Sequence, residues 1–177
     1  MEGALANSLS LKLSTSNLPS DTLYQLFFRV LPEDREIMEA VIDDLRVVKQ
    51  KNPASISHVQ CFLKVKEFIA CQCYRIAHDL WANGRKASAV LIQNRVSEIF
   101  ATDIHPGGRV GDGVVIRAGT CALGNIRVQN NAKIGARSRV PKPVPAGSAT
   151  AGNPARLIGV EVNAVRMVPK LISVVSM

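Results

Sequence analysis

An apolar residue recurs at every sixth position across the second half of the chain, and this period restricts what the segment can fold into. The seven positions are Ile104, Val110, Ile116, Ala122, Val128, Ile134 and Val140. A helix face repeats about every 3.6 residues and a strand about every 2, so neither element alone explains the spacing. Hexapeptide repeats predict a parallel β-helix, in which each hexad forms one flat side with its turn and the apolar residues stack inward.

A second register supports this interpretation, because the position two residues before each apolar one is also small or apolar. It holds Gly108, Val114, Thr120, Ile126, Ala132 and Ser138. At about three hexads per turn, seven hexads make a little over two turns, whereas a solenoid usually needs about three repeats for stability. We therefore expect a short and marginally stable coil.

The first hundred residues show helical spacing instead. Ser20-Asp21 supplies an N-cap, and we expect the short helix that follows to end at Pro32. The predicted helices cover residues 22–30, 33–50, 57–83 and 87–100. Asn83-Gly84 predicts a left-handed C-cap for the third of them, and Leu9 to Leu13 is only a weak apolar segment. The chain is thus predicted to be α+β, with a helical domain at 1–102, a parallel β-helix at 103–159 and a tail at 160–177.

Charge and cysteine content limit the ligand and the compartment. The formal net charge is +8, but Lys and Arg are dispersed, which favours a phosphate-bearing cofactor over nucleic acid. The cysteines show no metal-ligand spacing and are expected to be reduced, mostly buried thiols; they are Cys61, Cys71, Cys73 and Cys121. No apolar run reaches the roughly 20 residues that span a bilayer, and the amino terminus lacks the arginines of a transit peptide. We expect a soluble cytoplasmic protein without a metal site or a membrane partner.

Several short stretches on this helix-then-hexad plan resemble one family, the serine O-acetyltransferases of cysteine biosynthesis, plant-type in particular. They are Lys51-Asn52-Pro53-Ala54, Cys71 to His78, Leu91 to Ser97, Asp103-Ile104-His105-Pro106, Gly119 to Ile126 and Gly152 to Leu157. The resemblance covers roughly residues 20 to 159. It implies a left-handed β-helix and acetyl transfer from acetyl-CoA, as co-substrate, to the hydroxyl of L-serine.

The resemblance also implies how the reaction is catalysed. A serine hydroxyl is a weak nucleophile, and the family uses a histidine base oriented by a carboxylate, which here is Asp103. The base belongs to an Asp-His pair about one coil further on, but this chain passes directly from Val110 into Gly111, without that pair or the Arg-His pair that helps to hold serine. A further serine-binding aspartate is replaced by Asn52. The chain is identified as an internally shortened member that we expect to be weakly active or inactive.

His105 is the imidazole that stands nearest in sequence to Asp103. A free imidazole titrates near neutral pH, as a general base does, but for His105 we expect a structural hydrogen bond with Asp103 rather than the role of a surrogate base. His78 follows Tyr74 by four residues on a predicted helix, and we expect it to be a packing or inter-subunit residue. Cys71 and Cys73 are expected to be inert thiols.

The resemblance places CoA in the groove between neighbouring coils of a trimer. The corresponding contacts are Ala118 and Ala136, with Lys133 near a phosphate. Without the resemblance, the two alanines would be interpreted as small residues of tight turns. Arg117 replaces a family glycine and is expected to narrow the groove.

Two functions stay open on the sequence. The chain is either a serine acetyltransferase in which Asp103 orients another base, or a non-catalytic relative whose helical domain assembles with full-length subunits. Assembly into a homo-trimer, a hexamer or a hetero-assembly is expected from the resemblance. Docking to O-acetylserine sulfhydrylase is not expected, because the tail ends in Ser176-Met177 rather than isoleucine.

Overall fold

The computed structural model describes residues 1–33, 35–51, 60, 64–122 and 124–160. Within these residues, helices occupy the first hundred positions and short strands the remainder. The helices are α1 (Glu2–Leu13), α2 (Ser20–Glu33), α3 (Arg35–Lys51), α4 (Lys66–Ala82) and α5 (Lys86–Phe100). Across the described residues, no helix combines the length and the hydropathy needed to span a bilayer.

The amino-terminal helix was not predicted, because the sequence argument treated residues 9–13 as a weak apolar segment. Leu5, Leu9 and Leu13 recur at a spacing of four and are fully buried on one face of α1. The predicted end of α2 is also wrong, because the helix continues through Pro32 to Glu33. A proline in the last turn removes only one backbone donor, and Pro32 is exposed, so its ring is accommodated there.

The helix predicted over 57–83 is shorter in the structure. Val65 has extended backbone angles, so α4 begins at Lys66, and residues 57–59 and 61–63 lie outside the described part of the chain. At its other end the prediction is confirmed, since Gly84 follows the helix with a φ of +78°. Helix α5 also agrees closely with its predicted range.

Nine strands follow the helices within the described residues. They are β1 (Asp103–Ile104), β2 (Arg109–Val110), β3 (Val115–Ile116), β4 (Cys121–Ala122), β5 (Arg127–Val128), β6 (Lys133–Ile134), β7 (Arg139–Val140), β8 (Ser148–Gly152) and β9 (Ala155–Val160). They form three sheets with the orders β1-β4-β7, β2-β5 and β3-β6-β8-β9. All pairs are parallel except β8 with β9, and Asp103 is in register with Cys121. The strands therefore form a short parallel β-helix, as predicted.

The six-residue pattern correctly identified the inside of this coil. Six of the seven repeat positions are buried and Val110 is half-buried. The coil is longer than the expected two turns, because Val144 makes a parallel bridge to Val128 and β8 pairs with β6. These residues fall outside the strict six-residue spacing, yet they complete a third turn.

The helices and the coil have separate hydrophobic cores, and α4 connects them. Tyr74 packs in the coil core and donates a hydrogen bond to the Gly108 carbonyl (2.6 Å). Arg75 is buried and donates to the Asp44 carboxylate on α3 (2.9 Å) and to the Gly111 carbonyl (3.0 Å). These bonds satisfy carbonyls at the open edge of the first turn of the coil and fix its position against the helices.

Candidate functional site

Asp103 lies at the start of β1, half-buried beneath α5. The Gln93 side-chain amide donates to one carboxylate oxygen (2.6 Å), and the Cys121 thiol contacts the other (3.7 Å). Gln93 is carried on α5, and Cys121 follows Asp103 by three hexads, one full turn of the coil. Both oxygens of Asp103 thus have partners, and neither partner is an imidazole.

The prediction of a hydrogen bond between Asp103 and His105 is wrong. The His105 ring packs edge-on against Trp81, with ring centroids 5.0 Å apart, and its Nδ1 accepts a hydrogen bond from the Gly107 backbone (3.0 Å). Strand β1 ends at Ile104, so strand alternation does not carry His105 to the side of Asp103. His105 is therefore held by the helical part of the molecule as a structural residue.

His78 is a packing residue, as predicted. Its ring stacks on Tyr74 with centroids 5.8 Å apart, and its Nδ1 lies 2.6 Å from the Pro106 carbonyl. A carbonyl only accepts, so Nδ1 carries the proton, and Nε2 of the neutral ring is left as an acceptor. Neither described imidazole contacts Asp103. His58, like Asn52, lies outside the described residues.

Burial makes Cys71 and Cys73 poor nucleophiles, whereas Cys61 lies outside the described residues. Burial raises the pKa of the Cys71 thiol to about 12, with the Asp44 charge adding to the effect. Burial also raises the pKa of Cys73, and both thiols are free, which agrees with the predicted inert character. Cys121 is only half-buried, and its pKa is raised by burial and then by the negative charge of Asp103. Within the described residues, no three His, Cys, Asp or Glu side chains are grouped as metal ligands.

The two alanines predicted to contact CoA lie at one corner of the coil. Ala118 follows β3 and Ala136 follows β6, and the Arg137 backbone N–H donates to the Ala118 carbonyl (3.0 Å), so their turns stack. Both alanines are exposed. Lys133 is on β6 and half-buried, two residues before the turn of Ala136, and Arg117 is exposed beside Ala118. The corner thus combines exposed small side chains with basic groups.

The coil carries most of the net positive charge of the protein. Residues 103–160 contain eight Arg or Lys residues and two Asp, which accounts for six of the eight net charges. Four of the basic side chains occupy outward strand positions, namely Arg109, Arg127, Lys133 and Arg139. An anionic ligand is therefore attracted to the coil rather than to the helices.

Asp103 was predicted from the sequence as a site residue, but the two side chains that contact its carboxylate, Gln93 and Cys121, were not. Cys121 was detectable, because an offset of three hexads places it directly beside Asp103 once the coil is accepted. Gln93 had no such signal, since its contact depends on how α5 packs against β1.

Comparison with known proteins gives a consistent result. Residues 1–73 match the family model described as serine acetyltransferase, N-terminal. The chain is 45% identical to serine acetyltransferase 3, mitochondrial, of Arabidopsis thaliana, covering 90% of this chain and 52% of that protein. It is 32% identical to the serine acetyltransferase of Escherichia coli, covering 88% and 74% respectively.

Solved structures agree with the sequence comparison. A soybean serine acetyltransferase complexed with serine superposes with a TM-score of 0.68 at 31% identity, covering 89% of this chain and 84% of that one. A serine acetyltransferase in complex with CoA superposes with a TM-score of 0.69 at 30% identity and the same coverage. The likeness therefore extends over both the helices and the coil.

Length distinguishes this chain from its relatives. It spans about half of the first Arabidopsis protein. That comparison runs over 205 aligned positions, more than the 177 residues of the chain, so it includes positions at which the relative has residues that this chain lacks.

Proposed function

The chain belongs to the serine acetyltransferase family, and from this premise we propose that it is a non-catalytic member that assembles with full-length subunits. Asp103 is the carboxylate expected to orient the base. The proposal depends on one observation, that the two oxygens of this carboxylate contact Gln93 and Cys121. A serine hydroxyl needs a base to become a nucleophile at neutral pH. His78 and His105 are held by Pro106 and Gly107, so neither imidazole of the described residues is placed as the base for acetyl transfer from acetyl-CoA to L-serine.

Acetyl-CoA binding is proposed to persist at the corner formed by Ala118 and Ala136. Their exposed small side chains leave the backbone accessible, and the surrounding coil is basic, which suits the phosphates of CoA. Lys133 is the proposed phosphate contact. The exposed Arg117 side chain adjoins the same corner, so we expect it to weaken binding sterically while adding positive charge. The proposal therefore separates ligand binding, which is retained, from chemistry, which is lost.

Assembly is proposed to use the helical part. A groove of about 280 Å³ lies between α2 and α5, lined by Leu18, Leu26 and Leu91 among others. Leu91 is 44% exposed on this surface. Apolar side chains that line a groove are typical of protein interfaces. The proposed occupant is the corresponding helical region of a full-length family member, in a hetero-assembly; a homo-trimer or hexamer of this chain is the related possibility.

The assembly proposal is tested by mixing the purified chain with an intact family member and measuring co-elution and acetyltransferase activity. We expect co-elution and lower activity per intact subunit. The substitution Leu91→Arg should abolish co-elution, because it removes an exposed apolar contact and adds positive charge to a groove that Arg29 and Arg85 already line. Ile158→Arg is the matched control, since Ile158 is 69% exposed but lies on β9 of the coil. Separate elution with unchanged partner activity, or equal effects of the two substitutions, would contradict the proposal.

The compartment stays a prediction. A cytoplasmic location is proposed from composition, and one similar protein is named as mitochondrial. No role is proposed for the tail in docking to O-acetylserine sulfhydrylase, and residues 161–177 lie outside the described part of the chain.

A further inference from the structure

A second cleft lies where the helices meet the first turn of the coil, separate from Asp103 and from the Ala118–Ala136 corner. Its volume is about 400 Å³, within the range of small-molecule sites. Its apolar walls include Ile37 and Ala40 on α3 and Val110 on β2. Tyr74 and His78 on α4 also line the cleft, which is thus built from α3, α4 and β2.

Besides Arg75, which is paired with Asp44, one guanidinium and three carboxylates line this cleft; they are Arg109 and Glu36, Asp79 and Asp112. Arg109 and Asp112 carry opposite charges but form no salt bridge with each other. Arg109 is exposed, and no carboxylate of the described residues lies within 4.0 Å of its guanidinium nitrogens. Asp112 has one cation nearby, Arg75 Nη1 at 3.8 Å, and the guanidinium of Arg75 is already paired with Asp44 at 2.9 Å. A guanidinium and a carboxylate that share a cleft but not a salt bridge are complementary to a ligand that carries both charges.

His78 adds a fixed hydrogen-bond acceptor to the same wall. Its Nδ1 donates to the Pro106 carbonyl (2.6 Å) and its ring stacks on Tyr74, so the tautomer and the ring position are both set. The acceptor Nε2 is consequently available to a donor in the cleft that His78 lines. Among the described residues, the ring contact with Tyr74 and the hydrogen bond of Nδ1 do not use His78 Nε2.

We propose that this cleft binds an α-amino acid with an aliphatic side chain. Its carboxylate pairs with Arg109, its ammonium group pairs with Asp112 and donates to His78 Nε2, and its side chain packs on Ile37, Ala40 and Val110. Charges of both signs in one cleft suit a zwitterion, because the carboxylates of Glu36, Asp79 and Asp112 favour the ammonium group and Arg109 favours the carboxylate. The apolar residues of the cleft favour a hydrocarbon side chain over a polar one. This proposal does not depend on the loss of catalysis or on subunit assembly.

The test is calorimetric titration of the full chain with L-leucine, N-acetyl-L-leucine and L-leucinamide. N-acetyl-leucine lacks the ammonium charge and leucinamide lacks the carboxylate, while both keep the side chain. We expect leucine to bind and each derivative to bind at least about tenfold more weakly, because each loses a charge-assisted pair. Glycine should also bind at least about tenfold more weakly, since it lacks the hydrocarbon side chain. Absence of leucine binding, or equal binding of leucine and its derivatives, would overturn the proposal.

Substitutions locate the site. Arg109→Gln should weaken leucine binding at least about tenfold and Asp112→Asn similarly, with the secondary structure checked by circular dichroism. Arg127→Gln is the matched control, because Arg127 is the register partner of Arg109 one turn along the coil and does not line the cleft. Equal binding by Arg109→Gln and Arg127→Gln would refute the assignment. If a cleft variant does not fold, the comparison of derivatives on the unaltered protein decides the question alone.

Discussion

At the scale of single residues, the contacts of the Asp103 carboxylate depend on which side chains the coil and the helices place beside it. The role of this carboxylate stays a prediction, but its predicted neighbour is wrong, because strand alternation was extended past Ile104 to His105. The register of β1 with β4 places Cys121 there instead. Such a contact follows from the six-residue period, whereas the Gln93 contact depends on helix packing that local patterns do not encode.

The contact between Asp103 and Cys121 predicts a measurable change in thiol reactivity. Burial and then the Asp103 charge raise the pKa of Cys121, so less of it is thiolate at pH 8 than in a free cysteine. Asp103→Asn removes the negative charge and thereby lowers the pKa of Cys121, so alkylation of Cys121 by iodoacetamide should be faster. The alkylation rate is measured by mass spectrometry at pH 7 to 9. Asp112→Asn, which removes a different carboxylate of the coil, should leave the rate unchanged. A slower or unaltered rate in Asp103→Asn would show that the contact is not made.

At the scale of elements, the coil was more predictable than the helices. Each hexad repeats the same inward position, so the burial of Ile116, Ile134 and Val140 could be deduced from spacing alone. Helix α1 was missed because only residues 9–13 were considered, whereas its apolar face, formed by Leu5, Leu9 and Leu13, extends along the whole helix. The junction between α3, α4 and the coil was also unpredictable, since Asp44 and Arg75 are far apart in sequence and carry no pairing signal.

The buried Asp44–Arg75 pair predicts a large loss of stability when one partner is removed. Arg75→Met leaves the Asp44 carboxylate buried with fewer donors, and we expect the free energy of unfolding in urea to fall by about 3–5 kcal/mol. Arg46→Met is the control, because Arg46 and Asp43 form an exposed pair and its loss should change the value by less than about 0.5 kcal/mol. Similar effects of the two substitutions would mean that the junction contributes little.

Helix α1 makes a second prediction at this scale. Leu9 is fully buried, so Leu9→Ala should lower the free energy of unfolding by about 2–5 kcal/mol through lost burial and the resulting cavity. Leu11 is 60% exposed on the same helix, and Leu11→Ala should have an effect below about 0.5 kcal/mol. Urea unfolding followed by circular dichroism compares them. Equal, small effects would indicate that α1 does not pack on the helical core.

At the scale of the whole molecule, the shortened coil still has three turns and a core of its own. Tyr74 and Arg75 of α4 satisfy carbonyls at its first edge, and β9 covers the last parallel strand, β8. The coil thus keeps its architecture, and on the proposed function the shorter sequence lacks the chemistry rather than the fold. The basic coil and the groove of the helices are the surfaces proposed above for a ligand and for another subunit.

The most direct test of the account is whether L-serine increases the rate at which acetyl-CoA is converted to free CoA. The purified chain is incubated with acetyl-CoA, with and without L-serine, and release of the CoA thiol is followed, with an intact family member as the positive control. Because Gln93 and Cys121, and neither imidazole of the described residues, contact Asp103, the account predicts the same background rate in both conditions. Serine-dependent release that is proportional to protein concentration and lost in Asp103→Asn would contradict it.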